Sequence, residues 1–185
     1  MKTGIERAKE LFIQYSGNRF YMDLNGDGNE YEGYRVSEET EEEWRKEYLV
    51  QFFEQRRYGK DALYSYVHAV SFLKSDRSDE CWKSILYYPI RCDWLDDVTI
   101  LYMLPTSFKL AEKWSKKGNF HWKDVREYLQ EFEVFAQCIR KRIDTGTLTR
   151  AEDYDLHEFS DPVYVEAYIK DLQNDWNRLL RSLAK

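Results

Sequence analysis

Apolar residues recur at helical spacing through most of the chain. Ile5, Ala8, Leu11, Phe12 and Tyr15 predict a first helix over about 3–16. It opens with a capping box, Thr3 followed three positions later by Glu6, and stops at Gly17-Asn18. Ser37 caps a second helix to about 57, with Trp44, Tyr48, Leu49, Phe52 and Phe53 inward. Beyond Gly59, residues 60–74 carry two apolar faces, Leu63, Val67 and Val70 on one and Tyr64, His68 and Phe72 on the other. That pattern marks a central helix. Ser78 caps a short helix with Cys81, Trp82, Ile85 and Leu86, limited by Pro89.

Asp93 caps the next helix, with Leu95, Val98, Thr99, Tyr102 and Met103 inward until Pro105 breaks or kinks it. A separate helix follows over about 106–116 and ends at Lys116, Lys117 and Gly118. A long helix over about 120–143 turns Trp122, Val125, Leu129, Phe132, Ala136, Ile139 and Ile143 inward. An acidic, turn-like stretch to about 160 precedes Asp161-Pro162, a favoured helix start. The last helix carries Val165, Tyr168, Ile169, Leu172, Trp176, Leu179 and Leu183.

The period changes once. Phe20, Met22 and Leu24 alternate with polar residues, as do Tyr34 and Val36 beyond a Gly-rich loop, which reads as a β-hairpin. Parity favours a five-residue loop over 25–29, pairing Phe20 with Tyr34 on one face. The expected fold is mainly α: one domain over 1–185, about seven to eight helices in a bundle, and a β-hairpin at about 19–36 after the first helix. No linker composition and no internal repeat divides it.

Composition agrees with helices: Pro (3) and Gly (8) are scarce among 185 residues. A net charge of −6 argues against nucleic acid or an anionic membrane as partner. Cys81, Cys92 and Cys138 are odd in number and lack metal-site spacing, so free thiols in a reducing cytoplasm are expected. No apolar run approaches the ~20 residues that span a bilayer.

Candidate chemistry is sparse. Asp23-Leu24-Asn25-Gly26-Asp27-Gly28 supplies the first half of a calcium loop, but Tyr34 stands where its bidentate Glu belongs. Asp23, Asn25, Asp27 and Glu32 therefore read as a structural loop rather than a cation site. Asp93, Asp96 and Asp97 could share a helix face and hold Mg²⁺, although a cap and first turn explain the same residues. His68, His121 and His157 are scattered, and no nucleophile or phosphate-loop motif accompanies them. The stretch with Glu152, Asp153, Asp155, His157, Glu158 and Asp161 reads as a solvated acidic loop. No cofactor is expected.

Acidic charge and aromatic residues at element ends favour a non-enzymatic interaction protein, of inhibitor or immunity type, that meets a basic protein partner. Its expected surface comprises Glu41, Glu42, Tyr31, Tyr58 and Tyr154. The alternative is a metal-dependent helical enzyme built on Asp93, Asp96 and Asp97.

Overall fold

A computed structural model describes residues 3–74, 77–154 and 158–184. They are all-helical, with no strand among the described residues. The chain divides into two compact units, Met1–Gln55 and Arg56–Lys185.

The first unit holds α1 (Gly4–Gln14), α2 (Arg19–Leu24), α3 (Gly28–Gly33) and α4 (Glu38–Glu54). The expected capping box closes α1: the Thr3 backbone donates to Glu6 Oε2 at 2.7 Å, and Glu6 N donates to Thr3 Oγ1 at 3.4 Å. Ser37 caps α4 through Thr40 N at 3.2 Å. Ala8, Leu11 and Phe12 of α1 are buried along with Trp44, Leu49 and Phe52 of α4. The Phe12 and Trp44 rings meet at 5.8 Å.

The expected hairpin is not present; its residues form α2 and α3. Asn18 caps α2 by accepting from Tyr21 N at 3.3 Å. Gly26, at φ 84°, ends α2 in a Schellman turn, with Asp27 N on Met22 O at 2.9 Å and Gly26 N on Asp23 O at 3.1 Å. The apolar alternation that suggested a strand falls on opposite sides of a helix. Met22 is fully buried, whereas Phe20 and Leu24, four residues apart, are 68% and 69% exposed. An isolated hairpin leaves edge groups with no sheet to complete, while a helix satisfies its backbone locally.

The second unit holds α5 (Gly59–Phe72), α6 (Trp82–Arg91), α7 (Asp97–Lys116), α8 (Trp122–Asp144), a 3₁₀ turn (Glu158–Ser160) and α9 (Pro162–Leu183). α7 is the central element, packed against α5, α6 and α9, while α8 lies along α9 and α6. Asp96, not Asp93, caps α7, accepting from Thr99 N at 2.9 Å. Pro89 and Pro105 lie inside α6 and α7, so the two helices expected on either side of Pro105 are one.

Helix α5 also departs from the expected faces: it buries Ala62, Ser65, Tyr66, Ala69 and Phe72 and leaves Tyr64 62% exposed. Its inward stripe includes small residues that hydrophobic counting overlooks.

Helix α7 passes through Pro105 because a neighbour repairs the lost bond. Proline donates no N–H to the carbonyl four residues back, here that of Leu101. The Tyr168 hydroxyl, reaching from α9, donates to Leu101 O at 3.1 Å.

Candidate interaction surface

The residues expected to form a cation loop are engaged separately. The Tyr15 hydroxyl donates to Asp27 Oδ2 at 2.6 Å, and Asn25 turns its amide onto Tyr21 O at 2.8 Å. Asp23 stands on α2 and Glu32 on α3, both exposed. Among the described residues no group of three or more His, Cys, Asp or Glu side chains is placed to hold a metal.

The Asp93, Asp96 and Asp97 cluster divides likewise. Asp93 is exposed, and Asp96 is spent on Thr99, whose hydroxyl also donates to it at 2.6 Å. Asp97 has no exposed surface. Its carboxylate accepts from Arg142 Nη1, from Thr149 N at 2.8 Å and from Thr149 Oγ1 at 2.9 Å. Asp97 N donates back to Thr149 Oγ1 at 3.0 Å, and Val98 N to Thr149 O at 3.3 Å. A buried charge needs such compensation, and this one clasps the 145–150 loop to the start of α7.

In the acidic stretch before α9, Asp153 accepts from Lys60 N at 2.7 Å, Glu158 from the Tyr164 hydroxyl at 3.3 Å, and Asp161 caps α9 through Val163 N at 2.9 Å. Glu152 is exposed, and Asp155 and His157 lie outside the described residues. His68 is half-buried on α5. His121 precedes α8 with its backbone N–H on Asp124 Oδ2 at 2.8 Å.

Of the five residues expected on the interaction surface, Tyr31 and Tyr154 are core residues, 2% and 8% exposed. The Tyr31 hydroxyl donates to Glu41 Oε1 at 2.7 Å under the Arg19 guanidinium, which lies 4.0 Å from the ring. Burial and the bond to Glu41 push the Tyr31 hydroxyl up to about 12. Burial does the same to Tyr154, also to about 12. Glu41 pairs with Arg19, and Glu42 with Arg45 at 2.7 Å. Tyr58 alone among the aromatic three is open, at 58%.

Two of the exposed aromatic residues are neighbours on α2. Phe20 and Tyr21 touch edge to face at 5.6 Å, and Leu24 follows one turn on; Tyr21 is 51% exposed. Charge is segregated along the chain in the same sense. Met1–Gln55 carries thirteen acidic and seven basic residues, and Arg56–Lys185 twenty-one of each, so the whole excess of −6 belongs to the first unit. Within it Asp23, Glu32, Glu38, Glu39 and Glu43 are exposed and make no ion pair among the described residues. Arg19, the residue before Phe20, pairs with Glu41 and so ties α2 to the first turns of α4.

No protein-family model, curated protein or solved structure matches the chain. Nor is any helix among the described residues long and apolar enough to cross a membrane.

The α2 patch was hidden from sequence reasoning by the strand assignment, which turned Phe20 and Leu24 inward beside Met22. A helical reading of 19–24 would have set the two against Met22 and exposed them. The Asp97 clasp had no local signal at all, since Thr149 lies 52 residues away.

Proposed function

We propose that the protein is a non-enzymatic interaction module that binds a basic protein partner through its first unit. The observation that carries this reading is an exposed apolar patch, Phe20, Tyr21 and Leu24, within the unit that carries the whole negative excess. Exposed aromatic and aliphatic residues that are contiguous, with polar residues around them, are the usual centre of a binding surface. The exposed carboxylates of the same unit that make no ion pair supply long-range attraction, which chiefly speeds encounter and selects the sign of the partner. An inhibitor or immunity-type role is the concrete form that suits such a surface.

The test is affinity capture from native lysate with the wild type and with a Phe20→Ser/Leu24→Ser variant, at ~0.05 M and ~0.5 M salt. The expected result is a discrete partner held at low salt, reduced at high salt and lost with the double variant. Both substituted side chains are mostly exposed, so the fold survives the change. Retention by the variant equal to that of the wild type would refute the role of the patch.

A further inference from the structure

We propose that a cleft beside the Asp97 clasp binds a small ligand with an oxyanion head and a compact apolar body, such as an aryl phosphate or aryl carboxylate. This goes beyond the interaction reading and stands without it. The cleft encloses about 270 Å³, just under the ~300–1,000 Å³ typical of drug-sized ligands, which sets the ligand's size. Its walls include Val98, Leu148, Phe159 and Val165, and two arginines line it, Arg142 and Arg150.

The clasp fixes the Arg142 cation and the backbone just before Arg150. Asp97, wholly buried, holds one end of the Arg142 guanidinium, while the side chain as a whole stays 48% exposed. Five N–H donors on an arginine leave several for a ligand after one bond to a carboxylate. The same carboxylate pins Thr149 by both its N–H and its hydroxyl, and Arg150 is the next residue. Arg150 makes no ion pair or hydrogen bond among the described residues. One buried acid therefore holds Arg142 and the backbone that carries Arg150 at the edge of an apolar hollow, where Arg150 adds a charge with no ion pair among the described residues. Paired guanidinium groups recognise carboxylate and phosphate oxygens through directed, charge-assisted bonds.

The probes are phenyl phosphate, inorganic phosphate and benzyl alcohol, titrated into the full chain and followed by amide NMR shifts. Saturable binding of phenyl phosphate is expected, with shifts at Gly146, Leu148 and Arg150, weaker binding of inorganic phosphate and none of benzyl alcohol. Arg150→Gln should weaken phenyl phosphate about tenfold or more, the loss set by one charged hydrogen bond. Arg150 is exposed and outside the clasp, so this variant folds; Arg142→Gln is read beside it with its melting curve. Absence of saturable binding at millimolar phenyl phosphate would overturn the proposal. So would affinity unchanged by Arg150→Gln, or benzyl alcohol binding as well as the phosphate ester.

Discussion

Removing one partner of the Asp97–Arg142 pair should cost very different amounts depending on which partner goes. Asp97 is wholly buried and Arg142 about half exposed. In Asp97→Asn the side-chain oxygen still accepts from Thr149, and the released guanidinium reaches water. The loss is one charge-assisted bond and the weakening of two others, about 1–2 kcal/mol. In Arg142→Met the carboxylate keeps its Thr149 bonds but is stranded in the interior without a counter-charge. Breaking a buried pair in that sense costs about 3–5 kcal/mol.

In the Asp97→Asn/Arg142→Met double variant no charge is buried, so it should be more stable than Arg142→Met alone. Urea unfolding read by tryptophan fluorescence suits the measurement, because five of the six tryptophans lie in the second unit. If Arg142→Met proves milder than Asp97→Asn, or the double variant is no more stable than Arg142→Met alone, the account of the clasp is wrong.

Tyr168→Phe should cost about 1–2 kcal/mol by leaving Leu101 O without a donor, and much less in a Pro105→Ala background, where residue 105 again donates; equal costs in both would refute the repair. Stability should hold up to about pH 10 and then fall as pH rises through about 12. There unfolded tyrosines ionise while Tyr31 and Tyr154 keep their protons, a loss of up to about 1.4 kcal/mol per pH unit for each. Gly59→Ala should destabilise by about 1–2 kcal/mol, because Gly59 sits at φ +52° and an added Cβ would lie 2.2 Å from Asp153 Oδ1, the group that receives Lys60 N. Millimolar calcium should leave the melting temperature unchanged, since Asp27 is held by Tyr15; a rise abolished by Asp23→Ala would show a bound ion.

What could be read from sequence was local. The Thr3–Glu6 box, the Ser37 cap, the Asp161-Pro162 start and the Gly118 stop involve residues a few positions apart. All four mark real helix ends. What could not be read depends on distant partners. Pro105 looks like a breaker until Tyr168 arrives from another helix, and Tyr31 looks like a surface tyrosine until Arg19 and Glu41 close over it. The alternation in 20–24 fits a strand and a helix equally well over five residues. The helix wins because it satisfies its own backbone without a sheet. On the candidate surface, charge sign follows from the sequence itself, whereas Tyr31 and Tyr154 are buried and the placement of the apolar residues on α2 required the helix.

The most direct test of the interaction reading is site-specific photo-crosslinking in cells of the native host. A benzophenone amino acid would replace Tyr21 on the α2 patch and, as a control, Trp122 on the second unit, which is 41% exposed. The account predicts a discrete covalent adduct from position 21 that weakens when Glu38, Glu39 and Glu43 are replaced by Gln, and no such adduct from position 122. The same adduct at equal yield from both positions, or none at position 21, would contradict it.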